Sequence, residues 1–186
     1  MKSAMGNESP RVPPLPEAEW TEETRALLQP TAMGGAPPRN IFTTLVRHPL
    51  LFRRWMPFGA YVLFESTLPP RERELVILRV GRLCRSDYEV AQHAPIALAC
   101  GVSDADVQRT AAGPGDAAFD AWSEPDQTLL RAAGELHADQ QIGDATWAAL
   151  RATWSEAQVI DLIFLVGQYT MVAMALKSLR VQVEAP

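Results

Sequence analysis

Apolar residues recur at intervals of three and four along most of the chain after residue 40, the spacing of a helix with one buried face. The run from 40 to 66 follows this spacing with interruptions at Pro49 and Pro57, where we expect the helix to break. No segment alternates as a strand does, and no Asn-Gly or Asp-Gly pair marks a hairpin. The pattern predicts an all-α fold, with further helical runs at 19–29, 69–84, 86–100, 103–113, 125–141, 144–153 and 155–179.

The ends of these runs carry residues that commonly start and stop helices. Thr21 is placed to cap the helix at 19–29. The run at 69–84 opens with prolines and acids and closes with arginines, an order that suits the helix dipole. Gly101 follows the run at 86–100 and is a typical residue just past a helix C-terminus.

The prolines indicate how the chain is organised. Because Pro10, Pro13, Pro14 and Pro16 crowd the first segment, we expect residues 1–18 to form a mobile arm and residues 19–186 to form one domain. The segments 75–83 and 161–169 resemble each other, and each has a glycine after a buried run. This short echo predicts a degenerate internal repeat of two helical hairpins.

The composition is that of an acidic protein with a substantial core: 47% of residues are apolar and the formal net charge is −5. No cluster of Lys and Arg stands out, so we expect no nucleic-acid partner. The longest apolar run, 159–166, contains Asp161 and is too short to span a bilayer, and the N-terminal segment lacks the apolar stretch of a secretory signal. Cys84 and Cys100 form no Cys-x-x-Cys motif. We therefore expect a soluble, cytoplasmic protein without a membrane partner.

One face of the helix at 86–100 carries a group of chemically useful side chains. Ser86, Glu89 and His93 fall within about 60° of one another on a helical wheel. An imidazole beside a carboxylate in an apolar crevice can act as a general acid or base near neutral pH. When 75–83 is aligned with 161–169, the positions that match Ser86, Glu89 and His93 are all apolar: Val172, Ala175 and Leu179.

The same spacing also has a structural interpretation. Ser86 and Glu89 are placed as in a capping box, where the serine hydroxyl accepts from the Glu89 amide and the carboxylate turns back to the Ser86 amide. This explains Ser86 better than catalysis does, while Glu89 stays open between a cap and a site carboxylate. Two residues after His93, Pro95 is expected to kink or interrupt the helix and free the Ala91 carbonyl.

Other kinds of site find little support in the sequence. His48, His93 and His137 form no metal-binding motif, so we expect no metal. No Gly-x-Ser-x-Gly motif supports a serine nucleophile, and no glycine-rich loop has phosphate-binding spacing.

The segment 68–107 resembles the carboxymuconolactone decarboxylase and alkylhydroperoxidase D-like superfamily. The likeness rests on Glu74, an acid-Tyr-Glu run that ends at Glu89, a histidine four residues later, and a Gly-x-Ser turn at 101–103. The flanking segments are similar too, so the resemblance covers most of the chain beyond the arm: 40–55, 135–150 and 162–176. It implies an alkylhydroperoxidase D-like helical bundle in its long, single-chain form.

The peroxidase branch of that superfamily carries a glutamate, eleven residues, Cys-x-x-Cys, three residues and a histidine. In this register the outer glutamate is Glu74, the histidine is His93, and the two thiol positions hold Ser86 and Glu89. Cys84 lies two residues out of register. Thiol peroxidases need an attacking thiolate and a resolving partner, so a peroxidase-like redox protein is the less favoured alternative.

The decarboxylase branch, which the chain resembles better, implies a homo-oligomeric enzyme without metal or organic cofactor. The resemblance implies that Glu74, Glu89 and His93 line the catalytic site. We expect them to decarboxylate or isomerise a small organic acid or lactone by acid–base chemistry, with His93 as proton donor and base.

Three further residues are candidates for binding the substrate. Ser86 shares the face of His93, and Arg79 and Arg82 lie on the helix of Glu74 and could bind a carboxylate. For both arginines a solvated or intersubunit ion pair is the alternative. A non-catalytic binding or scaffold protein on the same fold is the second function class that the sequence leaves open.

Overall fold

The computed structural model describes residues 9–31 and 36–184, and no strand occurs within these ranges. This confirms the all-α prediction, and the helices lie close to the predicted runs. In chain order they are α1 (Glu22–Leu28), α2 (Asn40–Leu45), α3 (Pro49–Ala60), α4 (Pro70–Leu83), α5 (Asp87–Ala99), α6 (Asp104–Arg109), α7 (Ala117–Asp120), α8 (Glu124–Asp139), α9 (Asp144–Thr153) and α10 (Glu156–Leu179).

The chain forms two compact units, of which the first comprises the residues up to Gly59 and those from Ala175 onward. Its core contains Leu28, Val46 and Phe52. The described part of the predicted arm is hydrogen-bonded within this unit, since the amides of Arg11 and Val12 donate to the Leu179 carbonyl. Residues 1–8 of that arm lie outside the described residues, and the predicted domain boundaries stay a prediction.

The second unit, Ala60–Met174, is built around α4. Every residue from Arg73 to Gly81 is buried. One side of α4 packs with α8, α9 and α10 through a cluster that includes Val76, Val80 and Leu162, and the other side packs with α5 and α8 through a cluster that includes Leu78. Since each fully buried aliphatic side chain contributes about 1.5–3 kcal/mol, these two clusters hold α4 in place.

Two prolines lie inside helices. The break predicted at Pro57 is wrong, and Pro95 does not interrupt its helix, while the alternative of a kink there stays a prediction. Pro57 lies within α3, which widens into a π-helical turn at Tyr61–Glu65, and Pro95 lies within α5. A proline removes one backbone donor, and both helices continue past this loss. The break expected at Pro49 is confirmed, because α3 begins there.

The predicted internal echo places matching residues in one core. Val76 and Val80 of α4 pack in the same cluster as Leu162 and Val166 of α10, the positions that the echo aligns. Beyond the shared glycine the two copies differ, because the chain turns after α4, whereas α10 continues as one helix.

Helix α10 extends well beyond the apolar run at 159–166. By length and composition it is able to cross a membrane, but more than half of its most apolar stretch is buried in the protein, as in core helices of soluble proteins. The exposed side chains on this helix include four large apolar residues: Ile160, Phe164, Met171 and Met174.

The turn between α4 and α5 determines how the two helices meet. The Ser86 amide donates to the Gly81 carbonyl at 2.8 Å and the Arg85 amide to the Arg82 carbonyl at 3.1 Å, which is a Schellman motif. Arg85, at the position where glycine is usual, has φ 53°. A Cβ on Gly81 would approach Val90 Cγ2 to 3.1 Å, so the missing side chain lets α5 start close against α4.

We predict that Arg85→Gly raises the free energy of unfolding by about 0.5–1 kcal/mol, because glycine adopts this left-handed conformation without the Cβ clash. Urea denaturation of both proteins measures the difference. Arg85→Ala is the matched control, since it removes the exposed side chain and keeps the Cβ. An equal gain in the alanine variant would show that the backbone conformation is not the cause.

Candidate active site

A carboxylate and an imidazole meet in the interior of the second unit. Glu74 of α4 is fully buried, and its Oε2 lies 2.8 Å from Nδ1 of His93 on α5. An ionised carboxylate can only accept, so Nδ1 donates and the tautomer leaves Nε2 available for proton transfer. This is the pair that the sequence resemblance placed together.

Two further side chains position the pair. Arg73 Nε donates to the second carboxylate oxygen of Glu74 at 3.5 Å. Tyr169 of α10 presents its ring edge-on to His93, with ring centroids 5.0 Å apart and planes at 86°. Neither residue was predicted from the sequence: both depend on contacts that no local pattern encodes, and the echo aligned Tyr169 with an ordinary core position, Leu83.

The predicted capping box at the start of α5 does not form. The Ser86 side chain makes no capping hydrogen bond, and the Ser86 amide that Glu89 would have bound already donates to the Gly81 carbonyl. The interpretation of Ser86 as a cap is therefore wrong, and the Schellman turn is the physical reason.

Three buried polar atoms at this helix start have no hydrogen-bond partner among the residues that the structure describes. They are Ser86 Oγ and both carboxyl oxygens of Glu89, and both residues are 2% exposed. An unpaired buried carboxyl group is costly, and natural proteins retain such groups mainly at functional sites. Ser86 and Glu89 are therefore candidates for contacting a ligand, since they do not act as helix caps.

Burial raises the pKa of Glu89 to about 8. The nearby Ser86 hydroxyl lowers the pKa of Glu89 by a smaller amount. The two side chains do not have the geometry of a hydrogen bond. Glu89 is therefore mostly protonated at pH 7, and in that form it can donate a hydrogen bond. It stands one helical turn before His93, with which it shares a face of α5.

The two arginines predicted to bind substrate are placed differently. Arg79 is buried and its Nη1 donates to three backbone carbonyls, those of Thr110, Ala111 and Ala112, at 2.6–3.1 Å. It anchors the chain after α6 and is neither a solvated ion pair nor directed at the site. Arg82 is partly buried, and its Nε has no partner.

The two cysteines lie apart from these residues. Cys84 Sγ lies 3.7 Å from Nδ1 of His137 on α8, and neither Cys84 nor Cys100 forms a disulfide within the described residues. Cys84 packs against the core at the end of α4, consistent with its position out of register. Within residues 9–31 and 36–184, no group of three or more His, Cys, Asp and Glu side chains could hold a metal ion.

Comparison with known families supports the predicted resemblance. Residues 49–135, a segment that includes Glu74, Ser86, Glu89 and His93, match the carboxymuconolactone decarboxylase family. No match was found among curated proteins.

Solved structures of low sequence identity share the fold. An uncharacterised peroxidase-related protein from Ralstonia eutropha with the alkylhydroperoxidase AhpD core has a TM-score of 0.81 at 17% identity, covering 96% of this chain and 94% of its own. A peroxidase-related protein from Silicibacter has a TM-score of 0.78 at 15% identity, covering 97% and 96%. The debrominase Bmp8, in a Cys-to-Ala form with 2,3,4-tribromopyrrole, has a TM-score of 0.78 at 13% identity, covering 97% and 95%. These likenesses confirm the helical bundle.

The raised pKa of Glu89 predicts a pH-dependent stability. The folded protein keeps a proton on Glu89 that the unfolded chain has lost, so stability falls as pH rises from the unfolded pKa near 4.5 to the folded pKa of about 8. Glu89→Gln should remove this decline, so that the variant gains up to about 1.4 kcal/mol over the wild type for each pH unit between about 5 and 8.

Urea denaturation at several pH values measures this effect. The matched control is Glu156→Gln, which neutralises an exposed acid in the same unit and should parallel the wild type. A Glu89→Gln curve that parallels the wild type as well would show that Glu89 is ionised in the folded protein.

Proposed function

We propose that this chain, which is a member of the carboxymuconolactone decarboxylase and alkylhydroperoxidase D-like superfamily, is an acid–base enzyme acting on a small carboxylated lactone or enol-type metabolite without an organic or metal cofactor. The observation that carries the proposal is the buried His93–Glu74 pair, with a buried and unpartnered Glu89 one helical turn away. General acid–base catalysis needs a positioned group that transfers the proton, and a neutral acid beside it can stabilise the charge that develops on the substrate.

In a decarboxylation, the bond between the ring carbon and the carboxyl carbon breaks, CO2 leaves, and the electron pair remains in a dienolate. Protonated Glu89 and the Ser86 hydroxyl donate hydrogen bonds to the enolate oxygen as its charge develops. Protonated His93 delivers a proton from Nε2 to the carbon, while Glu74 holds the ring through Nδ1 and stabilises the imidazolium. The imidazole then regains a proton from water.

An isomerisation uses the same groups, with neutral His93 removing a proton from one carbon and returning it to another. Both reactions pass through an enolate, so the same stabilising groups serve either. Peroxidase chemistry has weaker support in this chain, because the two thiol positions hold Ser86 and Glu89. A purely binding role loses one of its arguments, since the capping box that would have explained Ser86 and Glu89 does not form.

The assembly and the cellular location are part of the proposal. We infer a homo-oligomer, because the outer face of α10 exposes large apolar side chains that a second copy of the chain could cover. A small organic acid or lactone is the proposed partner, without nucleic acid or membrane, in the cytoplasm.

Replacing His93 tests the proposed proton transfer. We expect His93→Gln to lower kcat by about 100-fold or more on a small carboxylated lactone, because positioned proton transfer contributes about 10²–10⁴-fold. His137→Gln is the matched control, since it alters a histidine bonded to Cys84 and should leave the rate unchanged. Circular dichroism checks that both variants fold, and an undiminished rate in a folded His93→Gln would contradict the assignment.

The pH profile of the rate tests Glu89 separately. Since Glu89 donates only when protonated, kcat should fall as pH rises through its pKa of about 8. Glu89→Gln keeps a neutral donor and removes the titration, so its rate should lack this alkaline decline. The same decline in both proteins would assign it to another group and leave Glu89 without the proposed role.

A further inference from the structure

Arg73 is a buried cation with unused hydrogen-bonding capacity. It is 8% exposed, and its only hydrogen bond to a described residue is the 3.5 Å contact from Nε to Glu74 Oε1. A guanidinium carries five N–H donors in a planar fork, and the four on the two Nη atoms have no partner among the described residues. The two Nη atoms are not fully buried, so they keep some access to solvent although most of the side chain is buried.

Two other arginines of α4 make more hydrogen bonds than Arg73 does. Arg71 forms a two-pronged ion pair with Asp126, with distances of 2.9 and 3.0 Å. Arg79 donates to the three carbonyls after α6. The Nη atoms of these two arginines donate to other groups of the protein, whereas the Nη atoms of Arg73 have no partner among the described residues.

The position of Arg73 connects it to the proposed chemistry. The Glu74 carboxylate lies between the two side chains, with Oε2 on His93 and Oε1 on Arg73. Arg73 and His93 therefore contact different oxygens of the same carboxylate, which places the guanidinium and the imidazole in one part of the interior. A substrate anchored by Arg73 would be bound in this part of the unit, and such anchoring is what positions a reacting carbon for proton transfer.

We propose that Arg73 is the residue that binds the substrate's carboxylate, and that it replaces Arg79 and Arg82 in this role. This inference rests on the proposed function and extends it by naming the recognition group. A carboxylate presents two coplanar oxygens that match the guanidinium fork. A group with more negative charge, such as a phosphate, is disfavoured because Glu74 stands next to the fork.

Binding of 2-furoate and of its neutral amide, 2-furamide, to the full chain tests the proposal without any turnover. The two probes have the same five-membered ring and differ in the charged group. We expect the wild type to bind 2-furoate more tightly than 2-furamide by about 10- to 100-fold, the range for hydrogen bonds to a charged group. Isothermal titration calorimetry measures both affinities.

Three variants make the result specific to Arg73. Arg73→Met should abolish the preference and leave 2-furamide binding unchanged, which shows that the site itself survives. Arg73→Lys should keep part of the preference, because it retains the charge and loses the fork. Arg82→Met should keep all of it.

The opposite outcomes overturn the proposal. No preference for 2-furoate in the wild type, an undiminished preference in Arg73→Met, or a preference lost in Arg82→Met would each remove Arg73 from this role. His93→Gln separates the two hypotheses, because it should keep the preference while losing turnover. If turnover survives in His93→Gln, the proposed catalytic role of His93 fails and carboxylate recognition by Arg73 stands.

Discussion

The burial of one carboxylate organises the centre of the second unit. Glu74 has no exposure to water, so it is stable as an anion only with donors at its oxygens, and His93 and Arg73 supply them from two directions. To bring His93 to this point, α5 must run back along α4 at close range. The Schellman turn reverses the chain, and the bare backbone at Gly81 allows the approach. The packing of α4 on both sides then keeps the charged segment from moving toward solvent.

The helices were predictable because their signals are local. Proline, acid and glycine positions marked the ends of α4 and α5 within a residue or two, and the three-and-four spacing of apolar residues gave the fold class. Pro57 misled the prediction, because α3 continues through it. The resemblance placed Glu74 with His93 across 19 residues, a contact that no periodicity contains.

The errors at the site share one cause, since each concerns a group whose partner comes from another part of the fold. A capping box needs a free amide at Ser86, and the sequence does not show that the preceding turn has already used it. Arg79 has the charged side chain expected of a residue that binds a carboxylate, yet it donates to backbone carbonyls beyond α6. Arg73 and Tyr169 belong to the site because they contact Glu74 and His93 in the folded chain, so no motif in the sequence marks them.

Two groups of residues in the site differ in how the protein holds them. The side chains of Ser86 and Glu89 make no hydrogen bond to the described residues, so no helix end depends on them. The Glu74–His93 pair, by contrast, is tied into the core of the bundle. A scaffold arranged in this way permits new chemistry to be acquired by exchanging two side chains on the first turn of α5, while the proton-transfer pair and the packing around it stay as they are.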